Sequence, residues 1–220
     1  LKRLENVGGK KVVFKIFIDS DGVIRDFVGT CEKRYQRTFN WTNQTDVRDI
    51  LGFSRKDWGK ELDSLSWDKM TPTEEAFDLF QLLKKYFEFS QVFIVTSVPL
   101  SRSCLGKCAD WYLTYLPEYV KSNKVIFCPD KSLLASRFSI LLDDHEKTCR
   151  RFSRAGGWSI LFPRPWNSLG KIYNPLGYID YELKKILNKS LEETDGEIGV
   201  PTFSTPIEIE EAWGRRLVLE

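Results

Sequence analysis

Four short apolar runs in this chain each break off into polar residues. Residues 11–18 (KVVFKIFI) end in Asp19-Ser20-Asp21-Gly22, residues 91–95 (QVFIV) in Thr96-Ser97, residues 124–127 (KVIF) in Cys128-Pro129-Asp130-Lys131, and residues 138–142 (FSILL) in Asp143-Asp144. A fifth run, residues 158–162 (WSILF), is closed by Pro163 and Pro165. Short runs rich in β-branched and aromatic residues, bounded by turn formers, read as strands. Helical patterns lie between them. Residues 71–74 (TPTE) match a capping box with proline at the first helical position, followed by Ala76, Phe77, Phe80, Leu83 and Phe87 at helical spacing. Further helices are expected over residues 105–116, stopped by Pro117, and 146–155, ended by Gly156-Gly157. Buried strands alternating with helices predict an α/β fold with a doubly wound parallel sheet. Ligands bind such sheets outside the carboxyl ends of the strands, at a topological switch point. That is where Asp19, Asp21, Thr96, Lys131, Asp143 and Asp144 should gather.

A length of 220 residues suits one domain, or a core carrying a smaller insertion. Residues 28–70 are too long for an ordinary crossover and hold Trp41, Phe53, Trp58 and Trp67, so they read as an inserted helical cap. Residues 1–27 and 71–190 then form the core, and residues 191–220 an acidic C-terminal extension. That extension carries a net charge of −6 within a chain of +2, which leaves +8 on the first 190 residues. The excess suits a small anionic substrate, but no dense Lys/Arg run supports a nucleic-acid platform. No uncharged apolar run reaches the roughly 18 to 20 residues of a membrane span. Five cysteines without a CxxC pair argue for reduced thiols, a cytoplasmic location and no zinc site. His145 is the only histidine, so neither a histidine-based triad nor a multi-histidine metal site can be assembled. Acid–base chemistry is expected from carboxylates or lysines.

Asp-x-Asp-Gly alone reads equally well as a turn after a strand. At the end of a first strand it also suits attack by Asp19 on phosphorus, with an aspartyl-phosphate intermediate and Asp21 as acid and base. A carboxylate attacks a phosphate dianion only if that charge is neutralised, which calls for a hard cation such as Mg²⁺, a fixed lysine and hydroxyl donors. Asp144, Lys131 and Thr96 or Ser97 fit those parts. Each has an ordinary structural explanation by itself, but their joint order along the chain favours the chemical one.

The motifs IFIDSDGV, VFIVTS, Lys131 and LLDD resemble those of the haloacid-dehalogenase-like superfamily. DSDGVIRDF, QVFIVTS, the DKS around Lys131 and ILLDD are similar to the 5′(3′)-deoxyribonucleotidases within it. The resemblance covers the core, roughly half the chain. It implies Asp19 as nucleophile and metal ligand, Asp21 as acid/base and metal ligand through its backbone carbonyl, and Asp144 as metal ligand. Thr96, Ser97 and Lys131 become phosphate contacts, and Phe27 lines a nucleoside pocket to which Trp58 and Trp67 would add. Trp58 and Trp67 serve equally well as the core of the cap itself. Arg25 departs from the family pattern, which usually has a small residue there. The expectation is a Mg²⁺-dependent phosphomonoesterase for nucleoside 5′-monophosphates, with a homodimer compatible. The alternatives are a phosphatase for another small ester or a nucleic-acid phosphate end, and a non-catalytic module that binds a partner.

Overall fold

The computed structural model describes residues 13–41, 46–99 and 101–192. Five parallel strands form one sheet: β1 (Lys15–Asp19), β2 (Val92–Thr96), β3 (Val125–Phe127), β4 (Ser139–Asp143) and β5 (Trp158–Leu161). Their order is β3-β2-β1-β4-β5. Lys11 and Val12, which open the first expected run, lie outside the described residues. Strands β1 and β4 are covered on both faces, which is why their middle residues, Ile16 to Ile18 and Ile140 to Leu142, are continuously apolar rather than alternating. The pleat still sorts their side chains. Ile16, Ile18, Ile94, Ile140 and Leu142 enter one large core, whereas Phe17, Val95 and Leu141 meet Phe152 and Cys128 on the other face.

The chain steps outward from β1 through β2 to β3, then crosses back and lays β4 on the other side of β1. The direction of winding therefore reverses between β1 and β4, and their carboxyl ends, Asp19 and Asp143, stand side by side.

Helices α1 (Phe27–Tyr35), α2 (Val47–Leu51) and α3 (Arg55–Ser64), with a 3₁₀ turn at Trp67–Lys69, lie between β1 and α4 (Ala76–Leu83). The chain leaves and re-enters the core at adjacent points: the Asp26 N–H donates to the Thr71 carbonyl (2.8 Å), and the Thr73 N–H to that of Ile24 (3.1 Å). This pairing overturns the expected capping box. The Thr73 hydroxyl donates to the Val23 carbonyl (2.7 Å), α4 begins only at Ala76, and Glu75 at its cap position makes no side-chain cap bond. Pairing with residues 24–26 holds residues 71–73 out of a helix, so the chain does not turn helical where a local box would have started it. The buried face of α4 is Ala76, Leu79, Leu82 and Leu83, which leaves Phe77 54% exposed.

Helix α5 (Arg102–Tyr115) is capped by Ser101, whose side chain accepts from the Cys104 N–H (3.1 Å). Pro117 both ends that region and opens α6 (Pro117–Lys121). Helix α7 (Glu146–Arg154) follows β4, and Gly156 turns the chain with φ +92°. Helix α8 (Pro175–Glu192), which the sequence reading did not resolve, buries Tyr178, Ile179, Leu183 and Ile186. Among the described residues no helix is long and apolar enough to cross a membrane, and all five cysteines are buried and free. Residues 193–220, most of the acidic extension, lie outside the described residues.

Candidate active site

A cavity of about 260 Å³ opens over the carboxyl ends of β1 and β4. At its floor, the Lys131 ammonium lies 2.5 Å from Asp19 Oδ1 and 2.6 Å from Asp143 Oδ2, with all three side chains almost wholly buried. Lys131 starts a 3₁₀ turn that Asp130 caps by accepting from the Ser132 N–H (3.2 Å) and hydroxyl (2.6 Å). Arg151 in turn holds Asp130 at 2.9 Å. The long side chain is thus aimed by a rigid local turn. Asp143 Oδ1 accepts from the His145 N–H (2.8 Å), and Asp144 Oδ2 accepts from Trp166 Nε1 (2.6 Å).

Ligand oxygens of Asp19, Asp143 and Asp144 all lie within 4.8 Å of one another. Three buried carboxylates against one ammonium leave an excess of negative charge. Burial, only partly offset by Lys131 and reinforced by the neighbouring aspartates, holds the Asp19 carboxyl well above the usual carboxylate range. Burial and Asp143 push Asp144 up to about 7 despite the Trp166 bond. Burial opposes the charge on Lys131, but Asp143 and Asp19 outweigh it and raise the ammonium's pKa. An all-oxygen, net-negative, buried donor set fits a hard divalent cation. Gly22 fits the same crowding, since with φ +82° a Cβ there would lie 2.2 Å from Asp144 Oδ2.

The loop between β1 and α1 is tied down from outside. Arg164 Nε donates to the Gly22 carbonyl (2.6 Å), while its two terminal nitrogens pair with the Glu75 carboxylate at 2.9 and 3.1 Å. Within the loop, Arg25 Nε donates to Asp21 Oδ1 at 2.7 Å.

Asp19, Asp21, Phe27, Ser97, Lys131 and Asp144 all line the cavity. Thr96 does not; its hydroxyl is buried beside those of Ser20 and Tyr112 and has no partner. Ser97 lines the cavity while its hydroxyl donates to the Cys128 carbonyl (2.9 Å). The structure moves the aromatic wall away from Trp58 and Trp67. Trp67 is 2% exposed, stacks on Phe27 (5.7 Å, 21°) and spends its Nε1–H on the Leu62 carbonyl (2.8 Å). Trp58 meets Phe27 edge-on (6.3 Å) and Phe53 (5.7 Å), outside the cavity. Trp41 and Trp166, with ring centroids 5.1 Å apart, form the wall instead. Sequence reasoning gave no role to Trp166, whose signal was an aromatic just past the fifth strand, nor a separate role to Asp143, visible only as the first of an Asp pair. His145, set aside for want of a second histidine, also reaches the cavity, with Nδ1 3.0 Å from the Thr148 hydroxyl.

A reversal of winding that gathers a strand-end aspartate, a buried lysine and a second pair of aspartates is the signature of haloacid-dehalogenase-like phosphohydrolases, and the chain is of that class. Similar solved structures include a phosphonoacetaldehyde hydrolase-like protein from Oleispira antarctica (TM-score 0.49, 11% identity, 86% of this chain and 96% of that one). Others are a family IA, variant 3, HAD hydrolase from Entamoeba histolytica (0.47, 16%, 82% and 100%) and a HAD family hydrolase from Deinococcus radiodurans R1 with bound phosphate and sodium (0.39, 14%, 82% and 97%). No curated protein matches the sequence. The model of the family described as 5′ nucleotidase, deoxy (Pyrimidine), cytosolic type C protein matches residues 11–173, and the chain belongs to this family. It is a phosphatase.

Proposed function

We propose that this chain is a Mg²⁺-dependent phosphomonoesterase that hydrolyses nucleoside 5′-monophosphates, deoxyribonucleotides in particular, in a cytosolic setting. The observation that carries the reading is the floor of the cavity: three buried carboxylates against one buried ammonium, beneath a wall formed by Phe27, Trp41 and Trp166. The family description and the five free cysteines support the substrate and the compartment. The inserted residues 28–70 act as a cap over the core, and Val28, Trp41 and Val47 bring its apolar surface to the cavity beside Phe27.

Asp19, Asp143 and Asp144 would hold the Mg²⁺, with the Asp21 backbone carbonyl as a further ligand; when bound, the ion neutralises charge that otherwise keeps the phosphate dianion away. Asp19 attacks the phosphorus, an O–P bond forms on its carboxylate, and the bond to the nucleoside 5′-oxygen breaks. Asp21 gives its proton to the departing alkoxide. It then takes one from the water that attacks the aspartyl-phosphate, which releases inorganic phosphate and restores Asp19. Lys131 spreads its charge over the transferring group and keeps Asp19 pointed at it. Ser97, which lines the cavity, would contact a phosphate oxygen, and the aromatic wall takes the base.

The test is phosphate release from a panel of ribo- and deoxyribonucleoside 5′-monophosphates, sugar phosphates and phosphorylated DNA ends, with Mg²⁺ and with EDTA. Highest kcat/KM on deoxyribonucleoside monophosphates, lost on chelation and in folded Asp19→Asn, is expected. Better turnover of sugar phosphates or DNA ends would reassign the substrate, and near-normal activity of Asp19→Asn would remove the nucleophile.

A further inference from the structure

The largest charged side chain in the core is Arg25, with 0% exposure. Its guanidinium lies over Trp67 at 4.8 Å, Trp111 at 5.4 Å and Tyr112 at 5.5 Å, and Nη1 donates towards Cys108 Sγ (3.4 Å). Nη2 is buried with no partner. A desolvated cation is costly unless it is paired, and aromatic faces supply only part of the compensation. The carboxylate that pairs with it is Asp21, whose side chain is 25% exposed and lines the cavity. The ion pair therefore runs from the sealed core to the edge of the site.

A planar guanidinium held on three sides has little freedom, so the oxygen it grips has little either. We propose that Arg25 is a positioning residue: through its Nε bond to Oδ1 it fixes the orientation of the Asp21 carboxylate, and it leaves the other oxygen to face the cavity. The surroundings of Arg25 show how its own position is set. Trp67 belongs to the inserted segment, whereas Trp111 and Tyr112 belong to α5 of the core, so the guanidinium is stationary only while the two pack together. Orientation of Asp21 is thus tied to the seating of residues 28–70 on the sheet.

This rests on Asp21 being the proton donor of the proposed reaction. Accordingly, Asp21→Asn, Arg25→Met and the double variant are compared by single-turnover phosphorylation, using a nucleoside 5′-monophosphate and p-nitrophenyl phosphate. An alkoxide needs the proton and nitrophenolate hardly does. Expected is a loss of roughly ten- to a hundred-fold in Arg25→Met on the nucleotide, the scale of a small misplacement of a reacting group, with KM little changed and p-nitrophenyl phosphate nearly unaffected. In the Asp21→Asn background the same substitution should add no selective loss. Equal losses on both substrates, or a selective loss that persists without Asp21, overturn the assignment of Arg25. Matched losses in Asp21→Asn itself would instead overturn the proton donor. If Arg25→Met does not fold, Arg25→Lys carries the test: it keeps the charge, removes the fork, and should show a smaller loss confined to the nucleotide. Wild-type rates on both substrates, or equal losses, would refute the positioning role.

Discussion

Lys131→Met removes the one ammonium in direct contact with the Asp19 and Asp143 carboxylates, and it does so where solvent cannot substitute. Lys131 is 5% exposed and lies 2.5 and 2.6 Å from its two partners. Methionine preserves most of the aliphatic volume, so the loss is chiefly electrostatic. Breaking a buried ion pair by deleting one partner costs about 3–5 kcal/mol, because the remaining charge stays buried and unpaired. In a chain of this size 1 kcal/mol moves Tm by about 2–4 °C, which predicts a fall of roughly 6–20 °C in EDTA, read by circular dichroism. Mg²⁺ should recover part of it. An ion that binds only the folded state contributes about 2.7 kcal/mol at a hundred times its Kd, and the variant's carboxylates have lost the ammonium that competes with the ion. The Mg²⁺-induced rise in Tm should therefore be larger in the variant than in the wild type. Catalysis should fall for every phosphate ester alike, since the charge serves the phosphoryl group common to all. A destabilisation under about 1 kcal/mol would refute the view of Lys131 as an essential counter-charge. A Tm rise with Mg²⁺ no greater than the wild type's would refute the shared-site electrostatics, and a loss confined to nucleotides would move Lys131 from the phosphate to the nucleoside.

Asp144→Asn should abolish most of the Mg²⁺-induced rise in Tm, because one of the three converging carboxylates becomes a neutral amide; an undiminished rise would place the ion elsewhere. Trp41→Ala should raise KM for a nucleoside monophosphate about tenfold or more while sparing p-nitrophenyl phosphate, given stacking worth about 1–3 kcal/mol per base. Trp58→Ala should leave that selectivity unchanged, since its ring lies outside the cavity, and steady-state kinetics that ranked the two tryptophans the other way would reverse the assignment of the wall.

The parts of the site legible in the sequence are those fixed by position along a strand. Asp19 is the last residue of β1 and Asp143 the last of β4, and in a parallel sheet strand ends meet without any knowledge of packing. Which aromatic rings face that meeting point is a different kind of information. Trp67 and Trp166 are indistinguishable as residue types. They differ in what satisfies the indole N–H: for Trp67 it is the nearby Leu62 carbonyl, and for Trp166 the Asp144 carboxylate, which only long-range packing brings to it. The failed capping box at residues 71–74 has the same origin, because residues 71–73 pair with residues 24–26 of a distant stretch of chain, and the helix starts only at Ala76. Arg25 shows how a local departure becomes informative once the fold is known. In the sequence it was a cation in a family position usually given to a small residue. In the structure the three rings that enclose it come from both the inserted segment and the core, and its charge is directed at Asp21. A residue present only to fill space would need no charge, and one present only to balance Asp21 would need no aromatic enclosure. Having both, Arg25 ties the seating of the inserted segment to the placement of a carboxylate at the cavity's edge.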